Sequence, residues 1–465
     1  MLQNNKEIAS GEEPVGRYSP HTELNRQDML AEMGLESMEQ LLAVIPEPLR
    51  QVEFDLAQGK TELEVRQLLQ GLAAQNRHLE EATAFLGAGC YRHFIPAAVW
   101  ALVSRGEFLT SYTPYQPEAA QGTLQTIFEF QTGIARLTGM PVANASLYDG
   151  ASATAEAVLM ALRLQKKRTH LLLAESLHPE YQELVETYME GLEVSTARVP
   201  ATVSGQLDCD RMQQLLTERA DQCAAVVVQY PNFYGTVEDL AAIAEIVHAA
   251  GSLFIVAVND PTTLAVLKTP GEQGADIVAG EAHTLGTPMG YGGPHLGILA
   301  ARQDYLRQIP GRLVSLSEDS RGQVAYTLTL QTREQHIRRA KATSNVCTNQ
   351  SLMASAAAVY MALLGPDGLR QIATTSLKQA HDLASKIEQL PGYGLTYGGP
   401  FFHEFVVTCP GPAQALVDRG AQQGIYPGVP LSRWWPERDR ELLICVTEMN
   451  SAAELQTLVE FFQTV

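Results

Sequence analysis

Residues 276–297 read Asp276-Ile-Val-Ala-Gly-Glu-Ala-His283-Thr284-Leu-Gly286-Thr-Pro-Met-Gly290-Tyr-Gly292-Gly293-Pro294-His295-Leu-Gly297. The apolar run 277–279 has the character of a buried strand, a glycine-rich turn follows, and 296–300 is a second apolar run. Outward from this stretch the pattern repeats. Short apolar runs at 171–174, 225–229 and 253–258 are separated by helical stretches at 179–191, 208–220 and 238–250. That order predicts an α/β fold, a mostly parallel sheet covered on both faces, with any site at the carboxyl ends of its strands.

Residues 1–85 form a helical N-terminal arm in this reading. Thr61 and Glu64 stand in capping-box spacing, and Val65, Leu68, Leu69 and Leu72 follow at helical intervals, so one face must be covered, either by its own domain or by a partner subunit. The large domain takes 86–345, with a helix from Gly122 to Gly139 and another from about Asn144 to Arg168. A linking region after Tyr305 leads to a small α+β domain at 346–465. It has helices at 351–363, 366–390 and 451–464 and strands at 404–408 and 442–447.

A chain of 465 residues, 45% apolar, is long enough for two or three domains. Its net charge of −19 argues against nucleic acid or an anionic membrane as main partner. The cysteines at 90, 209, 223, 347, 409 and 445 form no C-x-x-C pair and no zinc spacing, so no metal site is expected. A reducing, cytoplasmic location fits this cysteine usage and the absence of a basic-then-apolar N-terminal signal.

Two polar, aromatic segments stand out. Leu86-Gly-Ala-Gly89-Cys90-Tyr91-Arg92-His93 and Thr110-Ser-Tyr112-Thr113-Pro-Tyr115-Gln-Pro-Glu118 are broken by glycine and proline and carry side chains that orient small polar ligands. They line a pocket or plug a surface between helices. The turn after 277–279 is where α/β enzymes that use pyridoxal phosphate (PLP) carry the lysine that tethers the cofactor. Here His283 is followed by Thr284, so that bond cannot form. Asp149, at the start of the 144–168 helix, is read as an internal substitute for the cofactor phosphate, since a carboxylate there caps the helix and repels a dianion. Asp260 lies past the end of 253–258 and before a proline, and reads as a turn residue rather than a partner for a pyridine nitrogen. His283 reads chiefly as a core histidine and only weakly as a site residue, and Glu281 as structural.

Tyr112-Thr-Pro-Tyr-Gln-Pro-Glu, Asn144-Ala-Ser-Leu-Tyr-Asp, Gly292-Gly-Pro-His-Leu-Gly and Ala342-Thr-Ser-Asn-Val-Cys-Thr-Asn-Gln together resemble the first subunits of two-chain glycine decarboxylases, the P-proteins of the glycine cleavage system. The resemblance runs from Tyr18 to the C-terminal lobe. It implies a fold-type-I PLP-transferase architecture, with the cofactor on a sister (beta) subunit. It further implies that glycine is decarboxylated there and that the aminomethyl group passes to the lipoyl arm of the carrier H-protein. The chain's own contribution would be pocket walls, with Tyr91, Arg92, His93, Tyr112, Thr113 and Tyr115 expected at the subunit interface.

Two rivals remain: an assembly subunit that contributes nothing to chemistry, and an autonomous PLP enzyme. The latter would need Lys268 or Lys341, the only lysines outside the arm, an exposed helix end and the C-terminal lobe.

Overall fold

The computed structural model describes residues 14–16, 18–50, 55–219 and 221–464. The N-terminal residues read for a targeting signal lie outside them. The chain forms two compact units, one ending at Asn76 and one running from Arg77. In the first, helices α1 (Glu23–Glu32), α2 (Met38–Leu42) and α3 (Glu62–Ala73) are each capped by a hydroxyl, from Thr22, Ser37 and Thr61. The capping box expected at Thr61 is formed. Thr61 N–H donates to the Glu64 carboxylate at 2.8 Å, and Glu64 N–H donates back to the Thr61 hydroxyl at 3.4 Å. The apolar stripe of α3, Val65, Leu68, Leu69 and Leu72, is exposed.

In the second unit a seven-stranded sheet is built from β1 (Val142–Ala143), β2 (His170–Ala174), β3 (Ser195–Val199), β4 (Cys223–Gln229), β5 (Leu253–Val258), β6 (Ile277–Glu281) and β7 (Gly297–Ala301). Their order across the sheet is β1-β7-β6-β5-β4-β2-β3. Pairs from β3 to β6 are parallel, and β7 runs antiparallel to both β6 and β1. The central strands are buried at every position, which is why they read as unbroken apolar runs. One face packs Val226, Val228, Phe254, Val256 and Val278 in one core; the other packs Val227, Ile255, Ala257, Ile277 and Ala279 in a second. Helices α4 (Gln121–Thr138) and α5 (Gly150–Leu164) supply opposite faces, with Phe130 and Ile134 on one side and Val158 and Met160 on the other. α4 ends at Gly139, as expected, and that glycine closes the helix in the left-handed region at φ 71°.

β3 escaped the sequence reading because an edge strand reading Ser-Thr-Ala-Arg-Val is only partly buried and carries no apolar run. The expected linking region contains instead an antiparallel hairpin, β8 (Leu313–Glu318) with β9 (Val324–Thr329), which is largely exposed along its outer half. Helices expected at 351–363 and 366–390 lie end to end in α6 (Ser351–Ile387), interrupted at Gly365 (φ 58°) before Pro366. α6 is long and apolar enough to cross a membrane, yet Met353, Ala357 and Tyr360 are packed into the sheet core and Leu383 and Ile387 into the C-terminal lobe. That lobe is the α+β element expected. Its antiparallel strands include β10 (Glu404–Thr408) and β11 (Glu441–Cys445), and Phe405, Val407, Leu442 and Ile444 form its core with Leu458 and Phe462.

Candidate functional site

The four motif blocks converge on residues 144–149. Leu147 and Gly297 exchange backbone hydrogen bonds at 2.8 and 3.2 Å. Asn349 Nδ2 donates to the Ala145 carbonyl at 2.8 Å, Gln350 N–H to Ser146 Oγ at 3.1 Å, and Cys347 N–H to the Tyr148 hydroxyl at 3.0 Å. Ser146, at φ 100°, is held in a backbone region that L-residues avoid by these contacts and by Asn144 Oδ1, which accepts its N–H at 3.2 Å. Buried Arg312 joins the remaining block. It donates to Asn349 Oδ1 (2.8 Å), the Cys347 carbonyl (2.9 Å) and the Tyr115 hydroxyl (3.4 Å). Sequence reasoning missed Arg312, because the residues it joins are 37, 35 and 197 positions away and no local pattern marks it.

At the carboxyl end of the sheet lies a cleft of about 460 Å³, walled by Gly87–Cys90, Asp149–Ala151, His178, Glu180, Tyr181, Glu281, His295, Arg433 and Trp434. The N-terminus of α5, which points into it, is closed by two carboxylates of this chain. Asp149 is the N-cap, taking Ser152 N–H at 2.8 Å and the Ser152 hydroxyl at 2.8 Å. Glu281 Oε2 accepts Gly150 N–H at 3.0 Å, while its Oε1 accepts the N–H groups of His283 (2.9 Å) and Leu296 (2.8 Å). The sequence reading gave this closure to Asp149 alone; Glu281 shares it. Burial alone would raise the Glu281 pKa, but hydrogen bonds and charge from His283 and His295 hold the carboxyl well below its ordinary range.

Glu281, His283 and His295 offer ligand atoms within 4.8 Å of one another. The tautomer of His283 argues against a cation there. Tyr91 N–H donates to His283 Nε2 at 3.3 Å, so the ring proton sits on Nδ1 and faces Glu281 Oε1 at 3.5 Å.

The residues present do not fit PLP. Thr284 is buried where an amine would be needed, and the helix N-terminus that would receive a phosphate holds two carboxylates. Asp260 is not free for a pyridine nitrogen. It caps the turn at Pro261–Ala265, accepting Thr262 N–H at 3.1 Å, and pairs with His93 at 3.2 Å. Lys268 and Lys341 are exposed and neither lines the cleft.

Tyr91 and His93, expected at an interface, are instead interior. The Tyr91 hydroxyl donates to Glu404 at 2.7 Å, and His93 lies between Asp260 and Glu448 (2.8 Å). Buried carboxylates draw both side chains inward. Burial opposes charge on His93, but Asp260 and Glu448 outweigh it and push its pKa up to about 10. Burial pushes Glu404 up to about 7 against the donors Ala88 N–H and Tyr91, and lowers His403 to about 4. Arg92 is half-buried. Tyr112, Thr113 and Tyr115 line a separate open cleft of about 530 Å³ with Glu107, Ser111 and Thr123, in which Tyr112 is 82% exposed. The six expected pocket residues thus divide between an interior cluster and a surface.

The family model described as "Glycine cleavage system P-protein" matches residues 16–462. A probable glycine dehydrogenase (decarboxylating) subunit 1 of Desulfitobacterium hafniense is 44% identical over 443 residues, 95% of this chain and 98% of that one. A crystal structure of glycine decarboxylase (P-protein) in inhibitor-bound form aligns with TM-score 0.86 and 43% identity, over 97% of this chain and 100% of the other. A C-DES mutant with glycine covalently linked to its PLP cofactor aligns over 86% of this chain and 98% of its own, at TM-score 0.60 and 16% identity, a likeness of fold alone.

Proposed function

The chain belongs to the glycine cleavage system P-protein family, and from that premise we propose that it is the first subunit of a two-chain glycine decarboxylase whose second subunit carries the PLP. The fold is that of the fold-type-I PLP enzymes. The observation that carries the division of labour is the closed cofactor seat: Thr284 in place of an amine, and Asp149 and Glu281 on the N-terminus of α5. In this reading the complex, in the cytoplasm, removes the carboxylate of glycine as carbon dioxide. The aminomethyl group goes to one sulfur of the oxidised lipoyl arm of H-protein, whose disulfide breaks and takes the electron pair, and PLP on the second subunit supplies the electron sink.

What this chain adds is shape and a dry wall. The surface cleft at Tyr112, Thr113 and Tyr115 is the part of the expected pocket that can face another chain, and Arg312 fixes it by holding Tyr115. Donors held rigidly in a water-poor site act most strongly on developing charge. The arm gives the contact area. Leu63, Val65, Leu68, Leu69 and Leu72 are each 40–65% exposed on α3. At roughly 100 Å² of apolar surface each they offer about 500 Å², over half of the ~800 Å² that one side of a stable interface buries. We assign the second subunit as the chain that covers them.

The test is reconstitution. The chain, its second subunit and both together are assayed for exchange of labelled bicarbonate into glycine. Exchange requiring both supports the reading; full exchange by the second subunit alone rejects it.

A further inference from the structure

The 460 Å³ cleft that does not fit PLP is still within the roughly 300–1,000 Å³ span of small-molecule sites. Its charges are not all spent. Asp149 is committed to the N-terminus of α5, and Glu281 to backbone N–H groups and the two histidines. Two exposed groups on its walls remain. Glu180 and Arg433 have no ion-pair partner among the described residues. They are not paired with each other, although both act electrostatically on His178, in opposite senses. His178 is buried in the same cleft wall, fixed by its hydrogen bond to the Ala88 carbonyl at 2.9 Å, and its ring meets Trp434 edge-on at 6.3 Å. The Arg433 guanidinium lies 5.4 Å over the Trp434 ring, which fixes its position without neutralising it.

One free anion and one free cation lining the same cleft, the cation seated over an aromatic ring, suit a ligand carrying both charges. A simple anion would meet Glu180 with Asp149 and Glu281 behind it. A simple amine would meet Arg433 and His295, whose pKa is raised by its hydrogen bond to Glu281. We propose that this cleft binds a free α-amino acid without covalent chemistry, its carboxylate on Arg433, its ammonium on Glu180 and its carbon skeleton against Trp434. The subunit that does not fit the cofactor would then keep an amino-acid site of its own. The choice of glycine as first probe rests on the function proposed above; the site itself does not.

The experiment uses the full chain expressed alone and isothermal calorimetry with glycine, methylamine and acetate as separate probes. Glycine is expected to give saturable heat, and methylamine and acetate to bind at least tenfold more weakly. Arg433→Ala and Glu180→Gln, both at exposed positions, are each expected to weaken glycine tenfold or more without moving the melting curve. No saturable heat with glycine at millimolar concentration overturns the proposal. So does acetate binding as well as glycine, or an affinity indifferent to both substitutions. Bicarbonate exchange in the reconstituted pair is read separately, so failure of the subunit assignment and failure of this site are distinguishable.

Discussion

Replacing His93 by leucine tests whether the 91–93 segment is interior scaffolding or reaction machinery. The substitution leaves Asp260 and Glu448, with side chains 3% and 12% exposed, facing each other without the cation between them. Removing one partner from a buried ion pair costs about 3–5 kcal/mol. The pKa gives a similar figure: a rise from 6.5 to about 10 corresponds, at 1.36 kcal/mol per unit, to roughly 5 kcal/mol. The sign follows from the direction. A histidine whose folded pKa is raised contributes fully below pH 6.5 and loses that contribution as pH rises through about 10. Wild type and His93→Leu, unfolded in urea, should therefore differ by about 3–5 kcal/mol at pH 6 and much less above pH 10. Adding Asp260→Asn should recover part of the loss, because the two groups are coupled. Bicarbonate exchange per folded molecule should change little. A gap under about 1 kcal/mol at pH 6, or one that persists undiminished above pH 10, would refute the ion cluster.

Tyr112→Ala should leave the melting curve where it is, since the side chain is 82% exposed, and lower exchange in the reconstituted pair; unchanged exchange removes the surface cleft from the site. Arg312→Ala strips donors from Tyr115, Cys347 and Asn349 at once and should cost about 2–4 kcal/mol in urea unfolding together with lost exchange, with Arg312→Lys intermediate. Leu68→Ser with Leu72→Ser should abolish co-purification with the second subunit without altering the circular dichroism of the chain alone. Glu404, at about 7 when folded against 4.5 otherwise, should make the protein lose stability as pH rises from 4.5 through 7, and Glu404→Gln should flatten that slope in a pH series of melts.

The sheet was legible because strands buried on both faces carry unbroken apolar runs, as at 225–229 and 253–258, and the start of α3 because a capping box is a local pattern. Sequence could also locate the missing amine at Thr284, since the strand before it and the turn after it are both local signals. It misplaced His93 for the opposite reason. The partners that decide its environment lie 167 and 355 residues away, and a histidine beside tyrosine and arginine looks the same in a pocket wall as between two buried acids. Glu281 was underrated because its role is to take an N–H from Gly150, 131 residues earlier. The hairpin β8–β9 was lost in a linking region because its strands are half in solvent and carry no continuous apolar signal.

The double carboxylate at the head of α5 bears on anyone wishing to convert this chain into a cofactor carrier. Installing lysine at 284 would supply the missing nitrogen, but two aspartate and glutamate oxygens would still hold the amides a phosphate needs. Clearing Glu281 would in turn strand the N–H groups of Ala282, His283 and Leu296 that it accepts. Each change is uphill taken singly, so the seat would open to a phosphate only if several positions moved together, like a lock with more than one tumbler.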